Sequence, residues 1–161
     1  MTAITFLGSS KPFIIPEEIE RYNNRTVFDQ TDDWFQLGVS EVEDTGWEDE
    51  TKRLFTLPYL YEIRGVYDSL FLLYLEKYME VGDILELLYI PNQHDFATYE
   101  RKIMEDPDPI LINIGSLTYQ NRYGTYQLHP EKWVEELRRK NFVTEFGITT
   151  IVKYEDKKAS E

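Results

Sequence analysis

The residues of this chain that could do chemistry are few. The histidines are His94 and His129, and there is no cysteine. His94-Asp95 has the makings of an acid–base pair, because imidazole titrates near neutral pH and a carboxylate can hold its tautomer. Adjacent residues on a loop rarely aim at one substrate, however. His129 precedes Pro130 and reads as the approach to a helix. Asp106-x-Asp108 has the i, i+2 spacing of calcium and magnesium loops, but the glycine and terminal glutamate of the full pattern are missing, and Pro107 and Pro109 already account for a rigid turn. Gly8-Ser9-Ser10-Lys11 follows a strand as a phosphate loop would. It lacks the second glycine, and Pro12 stands where the helix would begin, so an ordinary turn is expected.

The absence of cysteine excludes disulfides, thiolate metal sites and thiol nucleophiles. A zinc site would need carboxylates added to the two histidines. Paired carboxylates for glycoside hydrolysis require a cleft that splits their pKa values, and thirty acids offer too many pairs to choose from. No metal or organic cofactor is expected. A site dispersed over His94, Asp95, Asp106 and Asp108, in the manner of a carboxylate-based hydrolase, is one alternative.

Charge is the stronger signal. The formal net charge is -13, and Pro16 to Glu50 carries -10 of it, with twelve acids against two bases. Such a patch attracts basic partners and repels nucleic acid and anionic membranes. The basic cluster Arg138-Arg139-Lys140 is explained by the end of a helix, so nucleic-acid binding is not expected. Asp32, Asp33, Glu43, Asp44, Glu48, Asp49 and Glu50 lie around Trp34 and Trp47. Charges steer association and aromatic anchors slow dissociation, so these nine residues form the candidate partner-binding surface. A solubilising face is the plainer reading of the same run. The expected function is that of a small acidic cytoplasmic inhibitor of the immunity type, which neutralises a basic partner such as a toxin nuclease. A DNA mimic is a further alternative, made weaker by the clustering of the acids in one segment.

The elements that must position these residues follow from periodicity. Strands are expected at Ile4–Leu7, Trp34–Val42, Asp83–Ile90 and Gly147–Tyr154, with Arg53–Leu57 returning from an acidic loop that contains Trp47. Pro16 opens a helix over Glu17–Asn23, whose first-turn glutamates suit the helix dipole. Pro58 opens a helix to about Met79, with Gly65 as its weak point. The alternative is a strand over Leu54–Ile63 and a helix from Val66. Helices are also expected over Asp95–Met104 and Pro130–Lys140. Ile110–Tyr119 and Arg122–Leu128 flank Gln120-Asn121 as a hairpin. The sum is an α+β fold: a single domain over residues 1–154, with a largely antiparallel β-sheet and three to four packed helices. A charged tail follows over 155–161. The N-terminus lacks the basic and apolar regions of a signal peptide, and the apolar run Ser69 to Leu75 is too short to span a bilayer.

Overall fold

The computed structural model describes residues 4–23, 37–42, 53–66, 69–91, 96–144 and 147–155. Eight strands form one sheet: β1 (Ile4–Ser9), β2 (Gly38–Glu41), β3 (Tyr59–Arg64), β4 (Ile84–Ile90), β5 (Ile110–Asn113), β6 (Thr118–Asn121), β7 (Gly124–Gln127) and β8 (Thr149–Val152). Their spatial order is β2-β3-β1-β4-β8-β5-β6-β7. Every neighbouring pair is antiparallel except β5–β8, which runs parallel. The described helices are α1 (Glu17–Asn23), α2 (Ser69–Lys77), α3 (Phe96–Glu105) and α4 (Trp133–Arg139). The molecule is therefore α+β with a mostly antiparallel sheet, as the pattern of hairpins and intervening helices implies.

Side-chain alternation along the strands feeds two apolar cores. Leu7, Ile63, Leu85, Leu87, Ile110, Ile112 and Ile151 face one side, where Ile19 of α1, Leu70, Phe71 and Leu75 of α2, and Trp133 and Leu137 of α4 cover them. Phe6, Leu88 and Ile90 face the other side and pack with Phe55 and with Phe96 of α3. The run Ile84–Ile90 is apolar at nearly every position because both of its faces are covered, as expected for a central strand.

The structure departs from the sequence reading at three places. Arg53–Leu57 is a turn and irregular chain rather than a strand, and the strand that pairs with β2 is Tyr59–Arg64. The helix from Pro58 does not form. The strand alternative prevails, because Gly65 takes a φ of 84°, which ends β3 and costs other residues more than glycine. Third, Gln120 and Asn121 lie within β6, and the hairpin turns at Arg122-Tyr123. Asn121 marks the turn from one residue earlier: its Oδ1 accepts the Tyr123 N–H at 2.9 Å. The run Ile110–Tyr119 is accordingly broken into β5, a turn and the start of β6. Several elements are shorter than expected: of the strand expected over Trp34–Val42 the structure shows Gly38–Glu41, with residues 34–36 outside the described ones, and of Arg122–Leu128 it shows Gly124–Gln127. The last helix starts at Trp133, three residues after Pro130, and the last strand covers Thr149–Val152.

Candidate functional site

All nine candidate partner-binding residues (Asp32, Asp33, Trp34, Glu43, Asp44, Trp47, Glu48, Asp49 and Glu50) lie outside the described residues, as do His94 and Asp95. What the structure positions is the frame from which the acidic stretch springs. Its first part is α1, with Glu17, Glu18 and Glu20 exposed. The α1 backbone starts on Pro16, whose carbonyl accepts the N–H groups of Ile19 and Glu20. Residues 37–42 then return the chain to the sheet edge, with Leu37 fully buried and Ser40 and Glu41 exposed.

Asn23, the last residue of α1, is joined to Leu37, the residue before β2. Its Nδ2 donates to the Leu37 carbonyl at 2.7 Å, and its Oδ1 accepts the Leu37 N–H at 3.0 Å. Between these elements runs a groove of about 360 Å³, lined by residues that include Glu20, Asn23, Leu37 and Arg64. On the other side of α1, Glu18 takes hydrogen bonds from the Tyr78 hydroxyl and from Lys77 Nζ. These two donors, Tyr78 first, hold the Glu18 carboxyl below its ordinary value. Residues 23 and 37, on either side of the stretch 24–36, are thus joined next to β2.

A second, polar cleft of about 290 Å³ lies toward the opposite edge. Asp108, Tyr119, Asn121, Tyr123, Asn141 and Thr144 are among its lining residues. Tyr119 is buried, and burial pushes its hydroxyl above the ordinary phenol value against the pull of a hydrogen bond with Asn121. Lys140 Nζ sits over the rings of Tyr119 and Tyr126 at 5.1 and 5.0 Å, a cation–π arrangement that holds the end of α4 against the last hairpin.

The aspartates of the Asp106-x-Asp108 spacing diverge. Asp106 meets Arg122 at 3.6 Å, whereas Asp108 faces the cleft. No group of three or more histidine or acidic residues that could hold a metal ion occurs among the described residues. His129 is spent on the approach to α4: its Nδ1 accepts the Glu131 N–H at 3.1 Å, and its own N–H donates to Glu136 Oε1 at 3.2 Å. Gly8-Ser9-Ser10-Lys11 is a strand end, not a phosphate cradle. Ser10 Oγ accepts the Ile84 N–H, and Lys11 pairs with Asp83 at 3.0 Å and Glu80 at 3.5 Å. Those acids, the Asp83 hydrogen bond foremost, raise the Lys11 ammonium above its ordinary value.

Sequence reasoning passed over Glu86. It is 6% exposed in the middle of β4. Its carboxylate takes the Thr56 N–H at 3.0 Å and the Thr56 hydroxyl at 3.1 Å, which pins the chain between the acidic stretch and β3. Its signal was an acid inside the apolar run Ile84–Ile90, where a buried polar group needs partners. No protein-family model, curated protein or solved structure matches this chain.

Proposed function

We propose that this chain is a cytoplasmic protein-binding inhibitor of the immunity type, which neutralises a basic partner such as a toxin nuclease. The observation that carries this reading is the concentration of -10 of the net charge of -13 in residues 16–50. A nuclease presents positive charge where it meets nucleic acid, and an acidic surface competes for that ground. The join beside β2 supports the reading. Asn23 at the end of α1 is bonded to Leu37 just before β2, so the chain on either side of residues 24–36 is joined there. Pre-set ends also reduce the entropy lost when such a segment docks.

The test is capture of a partner from native lysate on the immobilised chain, at low salt and again at about 0.5 M, where screening acts within a few ångströms. A basic protein retained at both salts, whose activity falls when the free chain is added, supports the proposal. Retention of salt-labile background alone counts against it. The second reading, a hydrolase with a dispersed site, draws on Asp108 beside the Tyr119 hydroxyl in the polar cleft. A substrate screen in which Asp108→Asn abolishes turnover would favour it.

A further inference from the structure

The polar cleft beside β5 and β6 holds groups that the fold itself leaves unused. Its wall is set by the parallel pairing of β5 with β8. Ile110 donates its N–H to the Ile148 carbonyl at 3.3 Å. A Cβ on Gly147 would stand 3.1 Å from the carbonyl carbon and oxygen of Asp108, so the Asp108 backbone lies directly on the chain entering β8. Thr149 closes the loop before that strand. Its Oγ1 donates to the Phe142 carbonyl at 2.6 Å and accepts the Thr144 N–H at 3.2 Å. This satisfies the Thr144 N–H but not its hydroxyl. Thr144 lines the cleft and is 7% exposed, and its hydroxyl has no hydrogen-bond partner among the described residues. The Asp108 carboxylate and the Asn141 carboxamide also line the cleft, and neither has a partner among the described residues. A buried polar group left unpaired by the fold calls for a ligand or an ordered water.

From this we infer that the cleft is a binding site for a neutral, hydroxyl-rich ligand, a mono- or disaccharide. The site is independent of the proposed partner surface, which rests on residues 16–50. The class of ligand follows from what the lining groups give and take. Asp108 only accepts hydrogen bonds, the carboxamides of Asn121 and Asn141 donate and accept, and the hydroxyls of Tyr119 and Thr144 do either. A sugar hydroxyl also donates and accepts, so neighbouring hydroxyls can satisfy this mixed set. An ammonium only donates, and a phosphate dianion only accepts. An anion would also meet Asp108. The cations that neighbour the lining residues in the chain are engaged elsewhere, Arg122 with Asp106 and Lys140 over the rings of Tyr119 and Tyr126. Tyr123 is 81% exposed, with Arg122 over its ring at 6.0 Å, and it offers an aromatic surface to the C–H face of a sugar ring. The volume of about 290 Å³ falls at the small end of ligand sites, roughly 300–1,000 Å³, which limits the ligand to one or two rings. Asp108 is the one carboxylate among the described lining residues. Glycoside hydrolysis takes a pair, so the role is binding without cleavage.

Amide proton–nitrogen correlation spectra of the full chain test this, titrated with methyl glucoside, methyl galactoside, methyl mannoside, N-acetylglucosamine, maltose and lactose. The expected result is saturable shifts at residues 108–123 and 141–144 with at least one sugar, at a Kd of about 1 mM. Inorganic phosphate and putrescine are expected to leave those signals in place. Asp108→Asn is expected to weaken sugar binding roughly tenfold, as a charge-assisted hydrogen bond becomes a neutral one. Thr144→Val removes a hydroxyl that the fold does not use. It is expected to weaken binding by a similar factor while its urea midpoint stays level or rises. Should Asp108→Asn fail to fold, Thr144→Val decides. The inference is overturned if no sugar in the set shifts these amides, or if phosphate or putrescine shifts them instead. It is also overturned if both folded variants bind the sugar as the parent chain does. A lowered urea midpoint in Thr144→Val overturns it too, because the hydroxyl then has its partner within the fold.

Discussion

The carboxamide of Asn23 grips both backbone polar groups of Leu37, its Nδ2 on the carbonyl at 2.7 Å and its Oδ1 on the N–H at 3.0 Å. One side chain thereby imitates a strand neighbour and closes a 14-residue excursion of the chain. Leu37 is fully buried, so neither backbone group has a ready alternative in water. Asn23→Ala removes both bonds and is expected to lower stability by about 2 kcal/mol, within the range for orphaned buried groups. Asn23→Asp keeps the acceptor and loses the donor, and is expected to fall between the two. Urea titrations of the three proteins give this ranking. If Asn23→Ala is as stable as the parent chain, α1 and the residue before β2 are held together by something else.

Glu18 links α1 to α2 through Tyr78 and Lys77. Its folded-state value lies below the ordinary 4.5, chiefly because the Tyr78 hydroxyl donates to the carboxylate. A carboxyl held low in the fold adds stability above its unfolded value, and that stability is lost as pH falls through 4.5 and on through the folded-state value. Thermal melts from neutral pH downward are therefore expected to show a shallower acid decline in Glu18→Gln than in the parent chain. Two parallel curves would mean that the contact is matched in the unfolded state. The same bond raises the Tyr78 hydroxyl above its ordinary value, with Glu18 as the first cause. In Glu18→Gln that tyrosine is expected to ionise earlier in an alkaline absorbance titration.

How far the sequence discloses this molecule is best judged from single residues. Pro16 and the three glutamates after it set α1 by local chemistry, and its bounds are as expected. The apolar run Asp83–Ile90 likewise announces a central strand. Leu60, Ile63, Tyr67 and Leu70 also fit helical spacing, so that pattern is ambiguous where a strand and a helix meet. The pairing of β3 with β1 and β2 resolves it in favour of the strand, and Gly65, at a φ of 84°, follows the last paired residue. The partner of Glu86 was illegible for a similar reason. Thr56 lies 30 residues away, and nothing in either local sequence names the other. The acidic stretch was read from charge alone, and charge has no period that fixes a surface.

Two glycines make close approaches of different kinds. A Cβ on Gly115 would stand 2.1 Å from the carbonyl oxygen of Tyr154 and 2.6 Å from its carbonyl carbon, both backbone atoms. A Cβ on Gly8 would stand 2.8 Å from Phe55 Cδ1, a ring that can turn aside. Gly115→Ala must therefore displace the chain after β8, whereas Gly8→Ala can be relieved by rotation of one side chain. The expected cost is about 3 kcal/mol for Gly115→Ala and about 1 kcal/mol for Gly8→Ala, the upper and lower parts of the range for overpacking. Chemical denaturation measures both. Equal losses would mean that Phe55 is as fixed as backbone.

The proposed partner surface makes a kinetic prediction. Long-range attraction acts before contact, so reversal of Glu48, Asp49 and Glu50 to lysine is expected to slow association and flatten its salt dependence while circular dichroism stays unchanged. A tenfold loss of association rate is a reasonable scale for three charges, being about 1.4 kcal/mol. Trp47 sits among those acids in the sequence, and a ring seated in a partner acts after contact, on dissociation. Trp47→Ala is thus expected to speed dissociation with little change in association. Stopped-flow or surface-based kinetics with the captured partner separates the two rates. If neither variant alters either rate, the docking surface lies away from residues 47–50, and the -10 of the acidic stretch serves solubility instead.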